Sequence, residues 1–310
     1  MKIPAASRSR PLLFTAAVMA SLLPVRLSAI MAGSSDSAYT TDSPSARVTT
    51  AFSGVGTVNG CTCTAISSNS TGTWVLTAAH VIGASKSVTV TFYVGAVPYS
   101  YTTSNIYVDS SYNATTHDSD VALVYIPSGI SNLITTYSLD TGLTAGQTVY
   151  LVGYGDSGYG NVGRDTSYGR AFRVGENVVD SLEYFAITDT THTSSVFYAM
   201  DFDDPSTVGQ DGGSLGNKIE TTLCEGDSGG PAFVLIDGKY YIVGVNTLIS
   251  SATDMGKFGT SAYGIDIYSV YSWMDSTVAS VPEPSDYAFM LGLGALVPLA
   301  IRRRTLRAKR

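Results

Sequence analysis

Hydrophobic and polar positions between residues 48 and 280 follow short β-branched or alternating runs rather than the longer spacing of amphipathic helices. Three runs punctuated by glycine, proline or aspartate predict strands: Val88–Val94, Val121–Ile126 and Val149–Val152. A helical pattern is restricted to Ile267–Met274 (IYSVYSWM). The pattern therefore predicts an all-β fold, a barrel or a sandwich, with a short C-terminal helix.

The most specific local signal is a hairpin. The runs AFVLI (232–236) and KYYIVGV (239–245) flank the pair Asp237-Gly238. An Asp-Gly pair supplies the positive φ angles that a two-residue turn needs in order to match the twist of its strands. We therefore expect Asp237 and Gly238 to close a β-hairpin.

The N-terminal region differs from the rest of the chain. Basic residues precede an apolar run, Leu12–Leu23, and small residues follow it up to Gly33. This is the layout of a secretory signal peptide, to which we assign residues 1–32. Cleavage after Ala29 and cleavage after Ala32 both fit the pattern. The protein is therefore expected to be exported.

The C-terminal region has the order Pro-Glu-Pro (VPEPS, Val281–Ser285), apolar run (Ala288–Ile301) and basic cluster (RRRTLRAKR). The apolar run, if helical, spans about 21 Å, less than the roughly 30 Å hydrocarbon core of a membrane. This order resembles the PEP-CTERM sorting signals of Gram-negative bacteria, which assigns residues 281–310 to such a signal. The resemblance implies processing by an exosortase-type membrane enzyme, delivery to the cell surface or extracellular matrix, and membrane contact through the terminal segments alone. A plain transmembrane tail is the alternative.

Charge is unevenly distributed along the chain. Four of the 18 basic residues precede Gly33 and six follow Ile301, whereas 23 of the 25 acidic residues lie between Gly33 and Val281. That region carries a formal charge near −15. Such a surface repels nucleic acids and anionic membranes, so no nucleic-acid partner is expected.

One stretch raises a question of chemistry: Cys224–Phe233 reads CEGDSGGPAF. Its glycines and serine suit a tight turn with no further role, but Ser228 would be a nucleophile if a base lay nearby. Of the three histidines, His117 and His192 lie in polar stretches typical of loops. His80 follows the strand-like run in TWVLTAAHV, where it would be held rigidly at a strand end.

A base of this kind needs a carboxylate that orients it. Asp120 begins the apolar run DVALV, so its carboxylate is expected where a loop enters the core. Asp118, two residues earlier in HDSD, is the competing candidate, and the spacing of a strand does not exclude it.

Three motifs, LTAAH with His80, DVALV with Asp120 and GDSGGP with Ser228, occur in this order and together resemble the trypsin-like (chymotrypsin-fold) serine proteases. The resemblance implies two six-stranded antiparallel β-barrels in a domain over residues 48–280, a polypeptide substrate, and neither cofactor nor metal. The acidic stretch DFDDP at 201–205 is accordingly interpreted as a solvated turn rather than a calcium site.

The roles of the site residues follow from this resemblance. Ser228 would attack the scissile carbonyl, His80 would take its proton and pass it to the leaving amine, and Asp120 would orient His80. The backbone N–H groups of Gly226 and Ser228 would form the oxyanion hole.

The resemblance also locates a substrate pocket. The residue six before the serine forms the pocket floor in the family, and it is Thr222 here, while Thr247 is the expected contact for the substrate strand. An uncharged floor does not offset the desolvation of a buried cation, so apolar or small side chains are expected at the cleavage position.

Activation is where the chain departs from the family. There, an aspartate directly before the serine commonly pairs with an N-terminal amine released by zymogen cleavage, and Asp227 occupies that position. The usual Ile/Val-Val-Gly-Gly start is missing, and Arg47-Val48 is the candidate cleavage point. Residues 33–47 would then be a propeptide or linker.

The cysteines depart from the family as well. Cys63 and Cys224 lack their usual partners, and with Cys61 the count is odd, so at most one intramolecular bridge can form. A bridge from Cys61 or from Cys63 to Cys224 stays open.

Two other functions stay open from the sequence. A surface or matrix protein with an inactive protease-like barrel would be free to lose His80 or Asp120. An esterase with the same residues would cleave small esters but not unfolded protein, whereas a protease would cleave both.

Overall fold

The computed structural model describes residues 30–31, 52–94, 97–184, 195–203, 215, 220–251 and 253–281. The predicted sorting signal beyond Val281, residues 33–47, and all but two residues of the predicted signal peptide lie outside the described residues, as does His192. Within the described ranges, no helix is long and apolar enough to cross a membrane.

The described residues form sixteen strands and two α-helices, with a 3-10 helix (Thr166–Tyr168) after β10. In chain order they are β1 (Val55–Val58), β2 (Cys61–Ser68), β3 (Thr73–Thr77), α1 (Ala79–Ile82), β4 (Val88–Val94), β5 (Val97–Thr103), β6 (Ile106–Val108), β7 (Ala122–Ile126), β8 (Thr148–Gly153), β9 (Ser157–Tyr159), β10 (Gly163–Asp165), β11 (Arg173–Val178), β12 (Ser181–Glu183), β13 (Phe197–Asp201), β14 (Pro231–Ile236), β15 (Lys239–Ile249), β16 (Ser261–Asp266) and α2 (Ile267–Ser280).

Fourteen of these strands build two seven-stranded antiparallel sheets. The first has the order β5-β4-β1-β2-β3-β7-β6 and the second β11-β8-β14-β15-β16-β13-β12, while β9 and β10 form a separate pair. The predicted all-β class, with two curled sheets and a C-terminal helix, is confirmed. Each sheet has one strand more than the six expected, because a three-residue edge strand, β6 or β12, adds to it.

Local sequence patterns correspond closely to these elements. The three predicted strands coincide with β4, β7 and β8 to within one residue at each end. The hairpin is also confirmed: β14 and β15 pair around Asp237 (φ 49°) and Gly238 (φ 75°). α2 begins where the Asp266 carboxylate accepts the N–H of Tyr268 at 3.1 Å, and it runs to Ser280 rather than ending at Met274.

The two sheets share one hydrophobic core. Val75 and Leu123 from the first sheet belong to the same buried cluster as Val152 and Phe233 from the second. The ring of Phe52, just before β1, packs 5.3 Å from that of Phe233 between centroids. Burial of each such side chain contributes about 1.5–3 kcal/mol, so this shared core fixes the two sheets against each other.

Candidate active site

His80 lies in α1, directly after β3. Because β3 pairs with β7, with Thr77 opposite Ala122, the residues that precede β7 lie beside α1. Asp120 is fully buried there. Its Oδ1 accepts the backbone N–H of His80 at 2.8 Å, and its Oδ2 lies 2.6 Å from the His80 ring Nδ1. These two contacts fix the imidazole relative to the carboxylate.

The charge of Asp120 is set by opposing effects. Burial alone would raise its pKa, but hydrogen bonds from His117 and His80 outweigh burial and hold the pKa below its ordinary value. An ionised carboxylate at Nδ1 keeps the proton on that ring nitrogen, which leaves Nε2 of His80 available as a base.

His117, interpreted from the sequence as a loop residue, reaches the same carboxylate. Its backbone adopts a φ of 56°, and its Nδ1 lies 3.2 Å from Asp120 Oδ2. The rings of His80 and His117 meet edge to face, with centroids 5.5 Å apart. Sequence reasoning missed this contact because a loop residue has no periodic pattern to show where its side chain lies.

Asp118, the competing carboxylate, has a different partner. Its Oδ1 accepts both the backbone N–H and the hydroxyl of Ser195, at 2.8 and 2.5 Å. The same hydroxyl accepts the N–H of Ser119 at 2.8 Å. Asp118 therefore connects its loop to Ser195, which lies just before β13. Asp120, and not Asp118, is the carboxylate that contacts His80.

Ser228 lies in the loop before β14. This loop packs against the segment that leads to His80. At Gly229 (φ 78°), a Cβ would lie 2.1 Å from Thr77 Oγ1 and 2.9 Å from the backbone nitrogen of Ala78, so the approach requires glycine. Within the described residues no hydrogen bond joins Ser228 Oγ to His80. Hydrogen bonds of this kind are often long without substrate and tighten when it binds.

Two backbone N–H groups in the serine loop, those of Gly226 and Ser228, have no hydrogen-bond acceptor among the described residues. Gly226 is buried and has a φ of 98°, a conformation that glycine adopts without strain. Nearly all buried N–H groups in proteins are paired, so the N–H of buried Gly226 is an unusual donor that an external acceptor could use.

Comparison with known proteins identifies the family. The sequence model of the family Trypsin matches residues 36–274, which is more than half of the chain. The chain belongs to the trypsin family. A similar curated protein is the inactive CLIP domain-containing serine protease A3 of Aedes aegypti, 26% identical over 184 residues that cover 58% of this chain and 36% of the relative. The chain thus spans about a third of the length of that relative, and the inactivity is stated for the Aedes protein.

In this trypsin-family chain, Thr62 at the start of β2 links the first sheet to the loop that carries Ser228, which precedes β14 of the second sheet. Its N–H donates to the carbonyl of Ser228 at 3.0 Å, and its hydroxyl donates to the carbonyl of Gly226 at 2.8 Å. The same hydroxyl accepts the N–H of Tyr154 at 3.0 Å. Thr62 is fully buried and anchors both residues whose N–H groups are unpaired.

A ring of four charges lies beside the same loop. Glu225 pairs with Arg164 at 2.6 Å and with Arg170 at 3.0 Å, and Asp156 pairs with the same arginines at 2.6 and 3.4 Å. The two pairs of Glu225, whose side chain is half exposed, contribute little singly because water screens them, whereas Asp156 is buried. Together they restrain Glu225, the residue before Gly226.

Asp227, which precedes Ser228 and was expected to pair with an N-terminal amine, is buried. Its carboxylate accepts the N–H groups of Gly155 and Cys224, each at 2.8 Å. Burial raises the pKa of Asp227 to about 7 despite these hydrogen bonds. Among the ion pairs of the described residues, none involves Asp227.

A cavity of about 200 Å³ opens next to Ser228. Thr247 lines it, whereas Thr222, the residue expected at the floor of a substrate pocket, does not. Thr222 is buried with its carbonyl bonded to the N–H of Met31, and its neighbour Leu223 lines the cavity instead. The lining is mostly apolar, and its one acidic member, Glu225, is paired with arginines: Leu223, Cys224, Glu225, Ser228, Thr247, Leu248, Ile249 and Met255.

The three cysteines are free thiols in the structure. Cys63 and Cys224 are buried and Cys61 is partly buried. Burial raises the pKa of the Cys61 thiol, and the nearby Arg170 only partly offsets it. Neither of the bridges left open by the sequence is formed.

Two groups of described residues have donor atoms close enough to share a cation, all within 4.8 Å of one another in each group: His80, His117 and Asp120, and Asp201, Asp203 and Glu220. The first group is held together by hydrogen bonds to Asp120. In the second, both Glu220 oxygens accept backbone N–H groups, from Asp203 and Leu215, at 2.8 Å.

Proposed function

We propose that the chain is an exported serine endopeptidase that hydrolyses peptide bonds through an acyl-enzyme. What supports this function most is the pair of contacts between fully buried Asp120 and His80, at 2.8 and 2.6 Å, which orients an imidazole as a serine protease requires. Membership of the trypsin family agrees with it.

In the proposed reaction, Ser228 Oγ attacks the carbonyl carbon of the scissile peptide and transfers its proton to His80 Nε2. The N–H groups of Gly226 and Ser228 stabilise the oxyanion that forms. The C–N bond then breaks as His80 returns the proton to the leaving amine. Water attacks the acyl ester by the same route in reverse, which releases the new carboxylate and restores Ser228.

The cavity suggests the substrate class. Leu223, Leu248, Ile249 and Met255 present apolar surface, and the glutamate at its margin is already paired. A cationic side chain would lose its hydration there without gaining a free counter-charge. We infer that the enzyme cleaves after uncharged side chains.

The terminal segments suggest where the enzyme acts. The signal-peptide layout supports export, and the PEP-CTERM-like segment at 281–310 supports processing by an exosortase-type enzyme at the surface of a Gram-negative cell. On this proposal the substrates are polypeptides at the cell surface, in the matrix or in the medium.

The test uses protein exported from the full-length gene and its Ser228→Ala variant. We expect the exported protein, but not the variant, to react with a fluorophosphonate probe and to digest casein. Probe labelling and small-ester cleavage without casein digestion would indicate an esterase instead. A folded protein that does none of these would be an inactive surface module, as the name of the Aedes relative states for that protein.

A further inference from the structure

Four acidic side chains lie together beside the ends of β11 and β13. Asp180 follows β11, Asp201 ends β13, Asp203 comes two residues later, and Glu220 forms a bridge with Glu176 of β11. One carboxylate oxygen from each of Asp201, Asp203 and Glu220 lies within 4.8 Å of the other two. Asp180 reaches the same place, because its Oδ2 accepts the N–H of Asp201 at 2.6 Å.

This acidic cluster of Asp180, Asp201, Asp203 and Glu220 is more buried than the sequence suggested. Asp203 is 8% exposed and Glu220 is 0% exposed. The solvated turn expected for DFDDP is therefore wrong at Asp203. Carboxylates are seldom buried to this extent unless a cation or a set of hydrogen bonds stabilises their charge.

Two of the four carboxylates have oxygens without a protein partner. Asp203 binds Glu220 through its backbone N–H, and the described residues supply no hydrogen bond or ion pair to its carboxylate. Asp180 Oδ1 is closed off from solvent and has no hydrogen-bond partner. A buried oxygen left in this state is costly, and a cation bound there would remove the cost.

The charges in the cluster also act on one another. Burial raises the pKa of Asp180 against its hydrogen bonds from Asp201, and the like charges of Glu220 and Asp203 raise it further. The negative charges therefore destabilise one another unless a positive charge lies among them.

Hydrogen bonds fix the backbone around the cluster. The Asn177 side chain is buried and donates to the carbonyls of Asp201 and Thr221, at 2.8 and 2.7 Å. The N–H of Thr221 donates to the carbonyl of Glu176 at 2.9 Å. These bonds hold the two acidic segments in place by themselves, so the carboxylates are organised before any ligand binds.

The donor atoms of the cluster select the kind of ligand. All four side chains offer carboxylate oxygens, which suit hard cations rather than zinc or copper. Calcium takes about six to eight oxygens in flexible geometry, whereas magnesium needs a nearly ideal octahedron. Both oxygens of Glu220 are held by N–H groups, from Asp203 and Leu215, and cannot rearrange freely to meet that demand.

We propose that Asp180, Asp201, Asp203 and Glu220 bind one calcium ion. The ion joins the loop after β11, the end of β13 and the segment that leads from Glu220 to Leu223, which lines the cavity beside Ser228. It stabilises the domain and restrains that wall of the cavity. Binding does not depend on the chemistry of the serine, so stability and binding are measured rather than activity.

The first test is the melting temperature of the full-length chain in EGTA and in calcium chloride. A concentration of about 10 mM exceeds the dissociation constants of extracellular calcium sites. Calcium should raise the melting temperature by about 3 °C or more. An unchanged melting temperature would overturn the proposal.

The second test uses Asp203→Asn, with Asp275→Asn as the matched control, since Asp275 is exposed on α2. Asp203→Asn should lose most of the calcium-dependent rise, and the control should keep it. In EGTA, Asp203→Asn should melt no lower than the parent, because the substitution relieves repulsion. A full calcium-dependent rise in Asp203→Asn would contradict the site, and a lower melting temperature in EGTA would indicate a structural role without a cation.

A second variant covers the case in which Asp203→Asn does not fold. Asp180→Asn keeps an oxygen for the N–H of Asp201 and should likewise lose most of the rise; a full rise would exclude Asp180 from the site. Magnesium chloride at the same concentration should raise the melting temperature of the parent less than calcium does. An equal or larger rise would overturn the assignment of calcium. Isothermal titration calorimetry with calcium should show one site fewer in the variant than in the parent, and equal numbers would overturn the proposal.

Discussion

His117 and His80 hydrogen-bond to one oxygen of Asp120, with Nδ1 distances of 3.2 and 2.6 Å to Oδ2. The Asp120 carboxylate thus binds two imidazole rings, and these rings contact each other edge to face. His117 lowers the pKa of Asp120 and so helps to keep it ionised in a fully buried position.

Replacing His117 should make the protein more sensitive to acid. A carboxylate whose pKa is depressed in the folded state stabilises the fold above its ordinary pKa, and this contribution is lost as the pH falls through the folded value. In His117→Asn, which keeps a residue tolerant of positive φ, the pKa of Asp120 should rise. We expect the midpoint of acid unfolding, followed by near-UV circular dichroism, to move to higher pH. An unchanged midpoint would mean that His117 does not stabilise the charge.

Asp120 and Asp118 should behave differently when each is converted to asparagine. Asp120→Asn should slow probe labelling by several orders of magnitude, since the equivalent substitution in the Ser-His-Asp template lowers kcat by about 10⁴. Asp118→Asn changes a carboxylate that binds Ser195 rather than His80, so labelling should stay within about tenfold of the parent. Labelling that depends more on Asp118 than on Asp120 would show that the wrong carboxylate was assigned.

Thr62→Val should weaken both stability and activity. The substitution removes the hydroxyl that binds the Gly226 carbonyl and the Tyr154 N–H, which leaves buried groups unpaired at a cost of about 1–3 kcal/mol each. Urea unfolding should show the loss of stability, and probe labelling should slow because the oxyanion loop is less restrained. Thr62→Ser keeps the hydroxyl and loses only the methyl group, so it is the matched control and should retain most of the stability and labelling rate. If it loses as much of both as Thr62→Val, the hydrogen bonds of the hydroxyl are not the cause.

The pocket predicts a preference among peptide substrates. Peptides with Leu or Met before the cleaved bond should have kcat/KM values at least about tenfold above those of matched Lys or Arg peptides. The reason is that the apolar lining does not offset the free-energy cost of desolvating a cation. Steady-state kinetics with a set of otherwise identical peptides measures this. A higher value for Lys would mean that Glu225 leaves its arginine partners to bind substrate.

Local sequence patterns were enough to predict the features that depend on neighbouring residues. Strand periodicity located β4, β7 and β8, and the Asp237-Gly238 pair located the hairpin, because both signals depend on residues within about ten positions of one another. The motifs around His80 and Asp120 were likewise visible, and the structure brings these two residues into contact.

Contacts between residues far apart in the chain could not be predicted from such patterns. Thr62 and Gly226 are bonded across 164 positions of the chain, and Ile30 lies among segments that begin more than a hundred residues later. The packing of two sheets on a shared core creates these contacts, and no local pattern records them. For the same reason Leu223 rather than Thr222 lines the cavity, since the path of the backbone past Met31 sets which side chain faces it.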